Sequence, residues 1–365
     1  MTVAGRRTIG HSQQTRSDDP TAHHLKTIYS DSHRAHHIEL ELSGGALVPC
    51  FELPVRADDV LAHVCSTDLG PVIAPHDHGR APLTAVHAPD YVEFLERAWA
   101  DWLAAGNTGD AFSGCTPMPD MSARVPTSIQ GRLGYYSFDT SAPITAGTWR
   151  AAYDAAQCAL TGADLIAQGE RAAFALCRPP GHHASTAYFG GYCYLNNAAI
   201  AAQSLLDRGR ARVAILDVDY HHGNGTQSIF YTRGDVLFAS IHGDPAEEYP
   251  YFSGHAEETG IGSGANCTWN FPLPLGSGPD RWFDALESAC KRIRDYRPEA
   301  LIVSLGVDTF ERDPISAFKL RSADYLEFGR VVARLGLPTL FALEGGYALD
   351  AIGLNVTNAL IGFGP

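Results

Sequence analysis

No stretch of this 365-residue chain reaches 18 unbroken apolar residues, which excludes a simple membrane-spanning helix. The first 24 residues carry Arg6 and Arg7 but lack the apolar core of a secretory signal, so the protein is expected to be soluble and not exported. Its eight cysteines, at 50, 65, 115, 158, 177, 193, 267 and 290, form no C-x-x-C pair. Neither a zinc ribbon nor a disulfide framework is indicated, and a reducing cytoplasm fits best. Basic residues are the minority, 27 Lys and Arg against 41 Asp and Glu, for a formal net charge of −14. That balance argues against nucleic acid or an anionic membrane as partner and favours cationic ligands. Internal repeats and low-complexity tracts are also missing.

What is present is a globular composition, 45% hydrophobic, long enough to bury a large core as one big α/β domain or two smaller ones. Residues 1–25 are polar and read as a flexible leader. His23-His24 and His36-His37 have no nearby partner ligands and read as exposed polar residues. The body then shows short apolar runs with the look of buried parallel strands: "AAFALC" (172–177), "RVAILDVD" (212–219), "VLFASIH" (236–242), "ALIVSLGVD" (300–308) and "TLFALEGG" (339–346). Helical patterns lie between them at 148–168, 194–208 and 280–296. The alternation predicts a doubly wound sheet with right-handed crossovers.

Four of those strands run into polar or glycine-rich text: "CRPPGHHA", "DVDYHHGNG", "LGVDTFERD" and "LEGGY". Ligands of open parallel sheets sit outside the carboxyl ends of the strands, so these four loops are expected to converge on one crevice. Residues 105–147, rich in Gly, Pro, Ser and Thr, are too long for a simple connection and mark a functional or interface segment.

Asp217, Asp219 and His221 stand at i, i+2 and i+4, which on an extended chain turns three ligand-type groups to one side. Burying two carboxylates there without a cation would be costly. A divalent metal removes the difficulty, and Asp308, at the end of a neighbouring strand, supplies a further oxygen. An Asp-His-Asp set with an open position suits catalytic zinc, although iron, cobalt or manganese would accept the same ligands. The competing reading is a hydrogen-bonded network without metal. His182 and His183, restrained by Pro179, Pro180 and Gly181, offer a general base and an electrostatic partner near neutral pKa; a structural histidine pair is the alternative. Tyr347 follows two glycines and supplies a neutral donor for an oxyanion. "HHGNG" lacks the Lys-Ser/Thr ending of a phosphate loop.

Through "SGGALVP", "GYY", "GTW", "CRPPGHHA", "FGGYCYLNNAA", "AILDVDYHHGNGTQ", "FASIHGDP", "SLGVDTFERDPI" and "LEGGYA", the chain resembles the arginase/deacetylase superfamily. Within it, the match is to the bacterial acetylpolyamine amidohydrolases, relatives of the zinc-dependent histone deacetylases. The resemblance runs from about Thr27 to the C-terminus. It implies a single-domain, three-layer αβα fold over 26–365 with a mainly parallel eight-stranded sheet, and 105–147 as an insertion that pairs two chains into a homodimer. It further implies that Asp219, His221 and Asp308 hold zinc and that Tyr347 binds the substrate carbonyl oxygen. His183 is then general base and acid, assisted by His182 with Asp217 as its partner. Asn224 stands where many histone deacetylases carry aspartate, which should leave His183 less basic. One potassium ion is implied at Asp217, Ser240 and the main-chain carbonyls of Asp219, His221 and Ile241, and a second near Phe230, Arg233 and Val236. Gly191, Tyr192 and Tyr249 are implied to line a narrow tunnel whose aromatic walls favour a cation; core tyrosines are the bland alternative. Relatives often carry Phe at the position of Tyr249, so its hydroxyl is expected to add a polar contact at the rim. Glu41 matches an acidic position that can reach the partner's entrance and meet a distal ammonium, or else is a surface glutamate.

The expected activity is removal of acetyl groups from small acetylated polyamines or diamines, of the acetylputrescine, acetylcadaverine or acetylspermidine type, by a cytoplasmic enzyme. An acetyl-lysine peptide or protein deacetylase is the second reading. A silent module that binds acetylated cations would have lost Tyr347, His183 or a metal ligand, and all are present. A ureohydrolase would need more Asp and His ligands for two manganese ions.

Overall fold

A computed structural model describes residues 25–364. The expected leader up to residue 24, with its His23-His24 pair, lies outside the described residues. Leu25 already belongs to the folded body: it is buried and its N–H donates to the Leu69 carbonyl.

Among the described residues the strands are β1 (Lys26–Ile28), β2 (Leu40–Ser43), β3 (Ala46–Pro49), β4 (Val72–Ile73), β5 (Ala172–Ala175), β6 (Val213–Asp217), β7 (Val236–Gly243), β8 (Thr268–Leu273), β9 (Ala300–Leu305) and β10 (Thr339–Leu343). Eight of them form one sheet in the order β4-β1-β5-β10-β9-β6-β7-β8, with every neighbouring pair parallel; β2 and β3 make a separate antiparallel hairpin. The five apolar runs read from the sequence are β5, β6, β7, β9 and β10.

Successive strand residues face opposite ways, and both faces are covered, so the strands read as continuous apolar runs. Along β6, Val213 and Ile215 enter one core while Ala214 and Leu216 enter the other. The helices Pro89–Ala104, Thr148–Ala167 and Asn197–Asp207 cover the first face; Val55–Ser66, Pro279–Tyr296, Ser322–Ala333 and Ile352–Phe363 cover the second. The result is the three-layer αβα arrangement expected of the fold. Phe174, Phe238 and Phe341 are wholly buried in the strands, each worth roughly 1.5–3 kcal/mol of transfer free energy.

The loops at the carboxyl ends of the strands are tied to one another. Asn196 caps the helix Asn197–Asp207 by accepting from the Ala199 N–H at 2.9 Å, worth about 1 kcal/mol. Its amide also donates to the Ala184 carbonyl and to Thr226 Oγ1, which joins the loop after β5 to the one after β6. Residues 105–147 are not a bare connection: they include the helix Ile129–Tyr135 and a bridge between Ala111 and Ile144. His36 departs from its expected exposure. It is fully buried, its Nδ1 3.0 Å from Thr148 Oγ1, because the extended segment alternates His36 and Ile38 inward with His37 and Glu39 outward.

Candidate active site

The four strands whose ends carry the polar motifs, β5, β10, β9 and β6, are adjacent in the centre of the sheet. Their carboxyl-terminal loops therefore meet on one edge, as the strand-end argument requires.

After β6 the chain leaves the strand, and this changes the arrangement expected from spacing. Asp217 is the last strand residue and turns away from the ligand group: its Oδ2 is 3.0 Å from His182 Nδ1 and its Oδ1 accepts from the Asp219 N–H. The trio that does converge is Asp219, His221 and Asp308, whose ligand atoms lie within 4.8 Å of one another, all buried. His221 Nδ1 is 3.1 Å from Asp308 Oδ2 and 3.3 Å from Asp219 Oδ1. The backbone fixes both carboxylates, Gly345 N–H donating to Asp219 Oδ2 at 2.7 Å and Tyr220 N–H to Asp308 Oδ1 at 2.7 Å. A Cβ on Gly345 would stand 2.5 Å from Asp219 Oδ2 and 2.6 Å from Asp308 Oδ2, so only glycine lets the backbone approach this closely.

The charges of the trio ask for a cation. Desolvation and the neighbouring Asp219 raise the Asp308 carboxyl above the usual range. Desolvation would lower His221, yet the two carboxylates hold it well above an ordinary imidazole. A buried Asp-His-Asp set with two oxygens and a ring nitrogen around one point fits a divalent ion of the zinc type. A second trio, His182, Cys193 and Glu344, also comes within 4.8 Å. Its donors are already engaged: His182 faces Asp217, and Glu344 Oε2 accepts from the Gly181 and His182 N–H groups at 2.6 and 3.1 Å.

The histidine pair sits with ring centroids 4.0 Å apart. Burial alone would lower His182, but Asp217 and Asp219 lift it to about 10, so it carries a positive charge. His183 is driven the other way, well below 6.5, by burial and then by the charge of His182. Its Nδ1 lies 2.7 Å from Asn224 Oδ1, which leaves Nε2 for the cavity.

That cavity, of about 220 Å³, is lined by Glu41, His183, Gly191, Tyr192, His221, Tyr249 and Tyr347 among others. Gly191 has φ +53° and a Cβ there would stand 2.3 Å from His183 Cδ2. Glu41 is buried in this wall, accepting from Tyr192 O–H at 2.8 Å, and is not a surface glutamate. The Tyr249 hydroxyl, expected at the rim, donates instead to Asp139 Oδ2 at 2.6 Å. Burial raises the Tyr347 phenol well above 10, so it stays a neutral donor.

Several residues of the site escape sequence reasoning. Glu52 takes a two-point contact from Arg178, at 2.8 and 2.9 Å, and a third bond from Arg56 at 2.7 Å, all buried. Arg56 also donates to the carbonyls of Glu344 and Gly346 and lies 4.6 Å from the Tyr347 ring centroid, holding the "LEGGY" turn. Asp139, from the 105–147 segment, accepts from Gly191 N–H as well as from Tyr249 O–H and so ties together two residues that line the cavity. Of the expected potassium positions, Asp217 and Ser240 are side by side in register, with Ser240 Oγ 2.8 Å from His242 Nδ1. Of the second set, Arg233 N–H donates to the Phe230 carbonyl and its guanidinium pairs with Asp235, while Phe230 and Val236 are buried in the same core cluster.

Comparisons agree with the geometry. The family model described as the histone deacetylase domain matches residues 51–362. Acetylpolyamine amidohydrolase 1 of Pseudomonas aeruginosa is 60% identical over 343 residues, 93% of this chain and 99% of that protein. The acetylpolyamine amidohydrolase of Mycoplana ramosa is 53% identical over 338 residues, with 93% and 99% covered. A crystal structure of acetylpolyamine aminohydrolase from Burkholderia pseudomallei superposes with a TM-score of 0.89 at 39% identity, covering 93% of this chain and 98% of that one.

Proposed function

The chain belongs to the histone deacetylase family, on its acetylpolyamine amidohydrolase branch, and from that premise we propose that it is a zinc-dependent deacetylase of small acetylated polyamines and diamines. The observation that carries the reading is one cavity lined by His183, Tyr347 and His221, the last of which belongs to the buried Asp219, His221 and Asp308 trio.

Zinc held by Asp219, His221 and Asp308 would polarise the amide carbonyl and acidify a water. The residues of the chain do the rest. His183, kept neutral by burial and by the charged His182, takes the water's proton at Nε2 as the water oxygen adds to the carbonyl carbon. Tyr347 donates its O–H to the carbonyl oxygen as negative charge develops there. His183 then returns the proton to the amine nitrogen, the C–N bond breaks, and acetate and free amine leave. His182, paired with Asp217, stabilises the charge that builds up beside it.

Tyr192, Tyr249 and Gly191 form the tunnel for the methylene chain, and Glu41, buried in the cavity wall of this chain, is the carboxylate assigned to a distal ammonium near the entrance shared with the partner. Asp217 and Ser240 are the side chains for a structural potassium ion, with the carbonyls of Asp219, His221 and Ile241, and a second ion is assigned to Phe230, Arg233 and Val236. The hairpin β2–β3 exposes Leu40, Leu42 and Leu47, and the 105–147 segment exposes Met118 and Met121; these support a homodimer. Eight free thiols and the lack, among the described residues, of a helix long and apolar enough to cross a membrane agree with a cytoplasmic setting.

The test is turnover of acetylputrescine, acetylcadaverine, acetylspermidine and an acetyl-lysine peptide by purified enzyme of measured metal content. The polyamines should lead in kcat/KM; a large preference for the peptide would overturn the substrate assignment.

A further inference from the structure

Glu344 stands one residue beyond β10, wholly buried, at the end of an apolar strand. A carboxylate is costly to bury unless its oxygens are used, and here both are. Oε2 accepts from the Gly181 N–H at 2.6 Å and the His182 N–H at 3.1 Å, and Oε1 accepts from Ser304 Oγ at 3.2 Å. Pro179 and Pro180 have no N–H, so Gly181 and His182 carry the first donors of the turn that presents the histidine pair. The far side of that turn is held as well, the His182 carbonyl accepting from the Thr226 N–H at 3.1 Å. A Cβ on Gly181 would stand 2.6 Å from the Asn197 nitrogen, so the turn already packs as closely on the next helix as a backbone allows.

The chain on either side of this carboxylate reaches the rest of the site. The Glu344 carbonyl accepts from Arg56, the Gly345 N–H holds Asp219, and the Tyr347 N–H donates to Asp313 at 2.7 Å. One turn, 344–347, therefore sets the backbone that carries His183, a member of the metal trio and the phenol. Burial raises the Glu344 carboxyl to about 7, and Oε2 accepts in either protonation state. What the side chain supplies is an acceptor at a fixed place. It does not line the cavity, so any effect on the reaction passes through the histidine turn.

We infer that Glu344 is a positioning residue for the hydrolysis: by holding the Gly181 and His182 N–H groups it sets the direction in which His183 presents Nε2 to the cavity. The inference rests on the deacetylase reading, which makes His183 the base, and adds the carboxylate that aims it. A displacement of about 1 Å at a reacting group costs about 10²-fold in rate.

Three variants separate place from charge. Glu344→Gln keeps an oxygen toward the two N–H groups and lets its amide donate to Ser304, without the charge. Glu344→Asp keeps the charge but is shorter by about 1.5 Å, which takes its oxygen beyond hydrogen-bond range of both N–H groups. Glu344→Met has matching length and no strong acceptor. Each is purified with zinc, checked for fold by circular dichroism and urea unfolding and for metal by elemental analysis, and assayed on N-acetylputrescine. Nitrogen-15 histidine NMR follows the His183 Nδ1–H bonded to Asn224. The glutamine variant should keep kcat within about threefold and keep that resonance. The aspartate and methionine variants should lose about 10²-fold in kcat at nearly unchanged KM, with the resonance displaced. A carboxylate that only stabilises the fold would lower the unfolding midpoint and leave kcat per folded, metal-loaded molecule as in wild type, which overturns the inference. An active aspartate variant beside an impaired glutamine one would make charge the contribution and overturn it too, as would equal losses in both. If the wild type turns over no acetylated amine, the deacetylase reading falls and the His183 resonance alone decides: kept in glutamine and displaced in the others, it leaves the placement by Glu344 standing.

Discussion

His183 Nδ1 sits 2.7 Å from an amide oxygen, Asn224 Oδ1, and not from a carboxylate. The amide accepts the Nδ1–H and so fixes the tautomer with the Nε2 lone pair toward the cavity, but it adds no negative charge to hold a proton on the ring. Burial and the neighbouring His182 charge keep His183 below 6.5. The base role proposed for His183 requires the neutral ring, which persists as pH falls through the ordinary imidazole range, so the acid limb of kcat/KM should lie below pH 6.5. Asn224→Asp introduces a charge that favours the imidazolium and should move that limb up by about one unit. Profiles from pH 5 to 9 decide it; a limb that does not move would remove Asn224 from control of the base.

Tyr347 is neutral, packed over Arg56, and delivered by a turn that Arg56 holds at two carbonyls. In the role proposed for it, its hydroxyl matters most when charge develops on oxygen. Tyr347→Phe should therefore lower kcat by about 10²–10³ with KM nearly unchanged. An equal loss in substrate affinity would make it a binding residue instead.

The buried carboxylates of Asp219 and Asp308 face one another across His221, so removing a bound cation should cost stability as well as turnover. Prolonged chelation is expected to abolish activity and lower Tm, and stoichiometric zinc to restore both. Asp308→Asn should purify with less metal under the same conditions, measured by elemental analysis. Full activity after exhaustive chelation would contradict metal dependence.

Glu52 is the carboxylate partner of both Arg178 and Arg56, neither more than 1% exposed. Glu52→Ala strands two buried guanidinium groups, at a cost of about 3–5 kcal/mol. Chemical denaturation should read that loss directly. A cost below about 1 kcal/mol would mean that water or rearrangement satisfies both cations.

The central strands of the sheet are legible in the sequence because each is a local apolar run, and Asp219 and His221 because they stand together at a strand end; Asp308, 87 residues further on, enters only through the strand-end argument and the family resemblance. Strands announce themselves as apolar runs, and the motifs stand directly at their ends. Asp217 departs from its spacing for a local reason: the period-2 rule applies only within the strand, which stops at Asp217. The remaining partners depend on distance along the chain. Asp139 and Tyr249 are 110 residues apart, Glu52 and Arg178 126, Arg56 and Gly346 290, and no spacing within the sequence relates them. His36 falls between the two cases, since its alternation with Ile38 is visible but its polarity suggests solvent.

Three buried histidines away from the metal trio give the fold a pH dependence of known sign. Burial lowers His36 to about 3, and His87 and His242 to about 4, with Arg178 adding to the effect at His36. His87 is satisfied while neutral, its Nδ1 2.8 Å from the Ser185 carbonyl and its Nε2 accepting from the Asn196 N–H at 3.0 Å. Below pH 6.5 the unfolded chain binds a proton at each position and the folded chain does not, so each contributes stability that is full above 6.5 and lost as pH falls toward 4. At pH 5, one and a half units below 6.5, the loss is about 2 kcal/mol per histidine. Glu344 and Asp313, raised by burial to about 7 and about 6, act with the opposite sign, so the net slope of the wild type is not the test. The difference against His87→Gln is: an amide preserves one donor and one acceptor but does not titrate. Urea unfolding at pH 7 and pH 5, with metal held constant, should show wild type losing about 2 kcal/mol more than the variant over that interval. Equal losses would mean that His87 gains its proton in the folded state, and that the bonds to Ser185 and Asn196 do not keep it neutral.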